Sequence, residues 1–137
     1  MAIDRSELMR LLQRHVEAES GRDLAGTLAT LTPDCVFEDM ALGETYLGHE
    51  GATRHYLMWW EGMHNTVRSE RLHWTEEGGA IAEATFVGHH LGDFLGLAPT
   101  GREVEVPVAV FVGFKDGLMT GERLYWNANA VIRRLTA

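Results

Sequence analysis

The chain has 137 residues, 45% of them apolar, and a formal net charge of −8 at pH 7, which bounds it to one domain, 1–137, with one sizeable core. No Lys/Arg cluster offsets that charge locally, so phosphate backbones and anionic lipid heads are not expected partners: no nucleic acid and no membrane. The longest apolar run, VPVAVFVGF at 106–114, is too short to span a bilayer, and the N-terminus has no signal-peptide core. A lone Cys35 has no disulfide partner, and a cytoplasmic location is expected.

In chain order, Asp4 followed by Glu7 resembles a capping box, and Leu8, Leu11, Leu12, His15 and Val16 recur at helical spacing until Gly21. His15 therefore lies on an apolar stripe. Asp23 caps a second, shorter helix with Leu24, Leu28 and Leu31 inward, ended by Thr32-Pro33. In the short strand CVFED, Cys35, Phe37 and Asp39 share one face, so a carboxylate ends an apolar row. After a turn-like ALGETYLG, Ala52, Tyr56, Trp59, Trp60 and Met63 fall on one broad, unusually aromatic side of a third helix. These rings are core packing first and candidate pocket lining second. His49, His55 and His73 read as solvated.

From about residue 66 the pattern has period two, with turn signals at Glu77-Gly78-Gly79, Pro99-Thr100-Gly101 and Lys115-Asp116-Gly117 that divide it into four long antiparallel strands. Helices first and sheet after predict an α+β fold, with a curved, mostly antiparallel sheet wrapped around the N-terminal helices and an internal pocket. Both faces of the 106–111 strand look buried. Pro107, Ala109 and Phe111 would otherwise form an exposed apolar patch, which predicts a homodimer.

The stretch GHHLGDFLGLAPTGREVEV, 88–106, holds two adjacent histidines. Neighbours on a strand point to opposite faces, so they are poorly placed to bind one ion, and no metal site is assigned. His90 shares its face with Ala82, Ala84, Phe86 and Gly88 and points inward, either as a core histidine bonded to a neighbour or as a pocket residue.

This stretch, with FKDGLMTGERLYWNANAVIRRL and CVFEDMALGETYLGHEGATRHYLMWW, resembles the SnoaL-like polyketide cyclases of the nuclear-transport-factor-2-like superfamily. The resemblance implies a cone-shaped α+β barrel, a deep apolar pocket, commonly a homodimer, and an inward histidine and an aspartate that serve the chemistry. The histidine matches His90. The aspartate falls on Asn127, whose amide does not exchange a proton at neutral pH as a carboxylate does, although it can still hold a carbonyl or enolate oxygen. FEDMALG resembles the base-bearing segment of ketosteroid isomerases, another branch of the superfamily. This puts Asp39 at the base position and His15 at that of the carbonyl-polarising residue. The alternative for Asp39 is that it caps the following turn.

The candidate catalytic residues are thus Asp39, His90 and Asn127. Candidate substrate-binding residues are His15, Tyr56, Trp59, Trp60, Met63, Arg123 and Tyr125, the last two taken as inward by alternation from Asn127. The expected function is a cyclase or isomerase that acts without a cofactor on a small apolar or aromatic carbonyl ligand. The alternative is a non-catalytic binding or dimerisation module that kept the frame after losing the acid.

Overall fold

The computed structural model describes residues 4–137. Helix α1 (Arg5–Ser20) starts where the Asp4 carboxylate accepts from the Ser6 amide. It buries Leu8, Leu11, His15 and Glu19 in one stripe. The one-turn α2 (Leu24–Leu28) is capped by Asp23, which accepts from the Gly26 amide at 3.0 Å. It ends earlier than its apolar spacing suggests, because Leu31 already pairs with Met119 as the first residue of β1 (Leu31–Asp39). The turn-like segment after it contains a four-residue strand, β2 (Glu44–Leu47). Helix α3 (Gly48–Met63) follows, then β3 (Thr66–Trp74), β4 (Ala80–His89), β5 (Glu103–Lys115), β6 (Leu118–Trp126) and α4 (Ala128–Thr136).

The six strands form one curved, open sheet in the order β2-β1-β6-β5-β4-β3, antiparallel except for the parallel β1·β6 pair. Its inner face carries Cys35, Phe37, Ala84, Phe86, the even-numbered valines from Val104 to Val112, and Leu124. Against this face lie Tyr56, Trp59, Trp60 and Met63 of α3, each at most 5% exposed. Trp59 meets Phe86, Phe94 and Trp126 with ring centroids 4.9–5.1 Å apart. Aromatic side chains therefore occupy the interior in which the sequence suggests a deep pocket. No helix among the described residues is long and apolar enough to cross a membrane.

A bulge in β6 decides which residues face this interior. Val112 pairs with Glu122, but Phe114, two residues on, pairs with Met119, three residues back, so β6 carries one extra residue. Gly121 sits there at φ +128°, and a Cβ on it would come within 1.9 Å of the Val36 carbonyl oxygen. The extra residue reverses the alternation: Met119 and Leu124 are both buried, while Arg123, Tyr125 and Asn127 are exposed. Arg123 and Tyr125 share the face of Asn127, as alternation predicts, but that face is the outer one, so their expected inward placement is corrected. Arg123 lies over the Phe111 ring at 4.8 Å and Phe111 meets Tyr125 at 5.6 Å, all on the outer face.

Asn127 is also placed differently from the expected cavity-facing strand end. It is the N-cap of α4, where its side-chain oxygen accepts from the Ala130 amide at 3.0 Å. The helix itself is not anticipated in the strand reading of LYWNANAVIRRL. It buries Val131 and Leu135 and is clamped by Arg134, which donates to the Glu103 carbonyl.

Candidate active site

Three elements bring one buried polar cluster together. His15 comes from the apolar stripe of α1, and Glu19 is one turn later on the same stripe. Tyr56 comes from α3, and Glu122 from the inner face of β6, where the Gly121 bulge has turned it inward. His15 Nε2 lies 3.1 Å from Glu122 Oε2 and 3.8 Å from Glu19 Oε2. The Tyr56 hydroxyl is 3.0 Å from His15 Nε2 and donates to Glu122 Oε2 at 3.3 Å. On the other side of the ring, His15 Nδ1 is 2.7 Å from the Thr30 hydroxyl oxygen. His55, expected at the surface, is 2% exposed and packs against Phe37, Tyr46 and Tyr56.

The charges follow from this geometry. Burial works against an imidazolium at His15, but the hydrogen bond and charge of Glu122, with Glu19 behind them, outweigh it and raise its pKa. Burial would likewise push Glu122 up, yet the His15 contact and the nearby His55 and Tyr56 hold it below the usual carboxylate range. Glu19 has burial on one side and the repulsion of Glu122 on the other. Only the His15 charge opposes them, and its pKa rises to about 8. These shifts favour an imidazolium–carboxylate pair between His15 and Glu122, with the Glu19 carboxyl protonated beside it at neutral pH. Tyr56 stays a phenol, because burial and the neighbouring carboxylates raise its pKa. Burial also lowers the pKa of His55, which stays neutral.

Asp39, His90 and Asn127 have separate surroundings, and among the described residues no hydrogen bond joins any two of them. Asp39 is 1% exposed and accepts from the Ala41 and Leu42 amides and from Trp126 Nε1, all at 2.9–3.1 Å. It therefore caps the β1–β2 turn and ties it to β6. His90 is fully buried. Its Nδ1 accepts from the Thr100 amide at 3.2 Å, and Nε2 donates to the Leu97 carbonyl at 3.2 Å. The ring bolts the 90–101 loop to itself, and that loop carries Phe94 into the core beside Trp59.

Three members of the cluster escaped the sequence reading. Glu19 was legible in principle, four residues beyond His15 on the same stripe. His55 lies between Ala52 and Trp59 at helical spacing, on the buried side of α3. Glu122 was not legible: alternation counted from an inward Asn127 puts it outside, and so does alternation counted from Met119, because nothing local announces the bulge except a glycine.

With α1 across the mouth of a curved mixed sheet and a buried acid–base cluster beneath it, the molecule has the architecture of small cone-shaped α+β proteins. The SnoaL-like domain family matches residues 12–122, and the chain belongs to that family. No curated protein matches the sequence. Among solved structures, a protein described as a SnoaL-like polyketide cyclase from Jannaschia sp. CCS1 superposes with a TM-score of 0.86 at 23% identity, covering 99% of both chains. TsrD from Streptomyces laurentii follows at 0.84 and 21%, covering 98% of both. A protein with a ketosteroid isomerase-like fold from Catenulispora acidiphila DSM 44928, solved with trimethylamine, gives 0.77 at 16%, covering 92% of both. At such identities these likenesses speak to the fold.

Proposed function

We propose that the chain is a cyclase- or isomerase-type enzyme that works without a cofactor on a small apolar carbonyl compound, with the His15–Glu122–Tyr56 cluster as its acid–base machinery. The observation that carries this reading is a buried acid and a buried base sharing one point between α1, α3 and β6. Glu122 accepts the proton from the carbon beside the carbonyl. His15 gives its Nε2 proton to the carbonyl oxygen as the enol forms, and the Tyr56 hydroxyl steadies that oxygen. Ring closure or isomerisation then proceeds from the enol, and both protons return. Beside the stripe of α1 that carries His15, a groove of about 450 Å³ between α1 and β3–β4, with Met9, Leu12, Val16, Leu72 and Ala82 among its lining, offers a seat for a ligand, although no member of the cluster lines it. An apolar ligand suits that lining.

Turnover of a panel of small apolar ketones and esters, followed by product NMR, tests the reading. Glu122→Gln and His15→Gln are expected to lower kcat by about two powers of ten or more, the usual reach of acid–base assistance. Loss of activity in Asp39→Asn or His90→Asn, with Glu122→Gln unaffected, would move the chemistry to those residues. The filled interior favours a second reading, a non-catalytic ligand-binding or dimerisation module, which predicts no turnover and ligand binding insensitive to Glu122→Gln. In either reading we propose a homodimer formed through the outer sheet face around Phe111 and Tyr125.

A further inference from the structure

The proton that His15 exchanges depends on which ring nitrogen is free to release it, and the neighbours of Nδ1 determine that. The Thr30 hydroxyl is 4% exposed as part of its residue and has one hydrogen, which it donates to the Thr27 carbonyl at 2.6 Å. Its oxygen is then left only as an acceptor toward His15 Nδ1, 2.7 Å away. Thr30 has little freedom to turn. Its amide also donates to the Thr27 carbonyl at 3.1 Å, and its own carbonyl accepts from the Met119 amide at 2.9 Å, locking the residue between α2 and β6.

We infer that Thr30 is a positioning residue which keeps the proton of Nδ1 in place, so that His15 exchanges protons through Nε2 alone, toward Glu122 and Tyr56. In water a neutral imidazole favours the opposite tautomer. Here that tautomer would set the Nδ1 lone pair against the Thr30 oxygen, with no donor in reach of Nδ1, whereas in the Nδ1–H form the lone pair of Nε2 has a donor in the Tyr56 hydroxyl, 3.0 Å away, which turns to it from Glu122. The groups that face His15 are Glu19 from its own helix, Tyr56 and His55 from α3, Glu122 from β6 and Thr30 from the α2–β1 junction. Among the described residues, only Thr30 addresses Nδ1. The inference rests on the proposed acid–base role for its importance to turnover, but the tautomer is measurable without any substrate.

Imidazole ¹⁵N shifts, recorded across a pH titration of the whole chain, test it. Neutral His15 is expected as the Nδ1–H tautomer in the unaltered protein. In Thr30→Val, which keeps the shape but removes the acceptor, the Nε2–H tautomer should appear and the titration midpoint should fall by about one pH unit, the worth of one such bond. Thr30→Ser should restore both, which separates positioning from packing. An Nε2–H tautomer in the unaltered protein would overturn the inference even if Thr30→Val failed to fold, and so would an unchanged tautomer and midpoint in Thr30→Val. Kinetics on any substrate found by the panel give an independent arm, with kcat lowered about tenfold in Thr30→Val at constant KM and recovered in Thr30→Ser. If the tautomer is as stated but His15→Gln leaves turnover intact, the functional reading fails and the inference about Thr30 stands.

Discussion

Glu19 holds a proton that an exposed glutamate would have lost, and this makes folding stability depend on pH. Its pKa is raised from 4.5 when unfolded to about 8 in the fold. Between those values the native state binds more protons than the unfolded chain, so the contribution is full below pH 4.5 and is lost as pH rises toward 8. Glu19→Gln is expected to flatten the decline of stability across that window by up to one proton, about 1.4 kcal/mol per pH unit. Urea unfolding at pH 5 and pH 7.5 measures it, and an unchanged slope would contradict the assignment. Glu122 behaves oppositely: its lowered pKa makes its contribution full above 4.5 and lost as pH falls further. At Asp39 a substitution removes an acceptor for three donors at once. Asp39→Ala should cost about 1–3 kcal/mol for each buried donor left unpaired, read as a fall in the urea midpoint.

At the scale of elements, two local devices orient the cluster. The bulge at Gly121 aims Glu122 inward, and its backbone conformation and the approach of the Val36 carbonyl both demand glycine. Gly121→Ala should therefore destabilise by about 3 kcal/mol or more through strain and clash, and a stable variant in calorimetry would count against the bulge. At the other end of the strand, the N-cap position of Asn127 gives a different expectation from a cavity-facing residue. An outward Asn127→Asp keeps the capping oxygen and adds a charge that favours a helix N-terminus. Its stability should change by about 0.5 kcal/mol or less and its turnover not at all, whereas a buried new carboxylate would lower the first and raise the second.

For the whole molecule, the interior is filled, while the outer sheet face leaves apolar and aromatic side chains exposed. Val36 at 38% and Tyr125 at 41% exposure lie on this side of the sheet, with Phe111 between Arg123 and Tyr125. An apolar and aromatic face on a small acidic protein is expected to pack on a second copy of itself. Light scattering at micromolar concentration should give twice the chain mass, and Phe111→Asp should return it to one.

How much of this was legible follows from the range of the forces involved. Helical spacing alone marked the stripe of α1 that carries His15 and the aromatic face of α3. Period-two alternation marked Cys35, Phe37 and Asp39 on the inner face of β1, and glycine-bearing turns marked the four long strands. These are local patterns, set by the geometry of a helix or a strand and the need to bury one side of it. Only the tertiary structure decided that β6 changes phase at Gly121, because the bulge is shaped by the passing Val36 backbone of a strand more than eighty residues earlier. The same holds for α4, whose start at Asn127 and burial of Val131 and Leu135 depend on packing beyond β5. The site itself belongs to this second class. His15, Glu19, Tyr56, Thr30 and Glu122 are ordinary residues in their own segments, and become an acid, a base and their support only where the fold withdraws them from water beside one another.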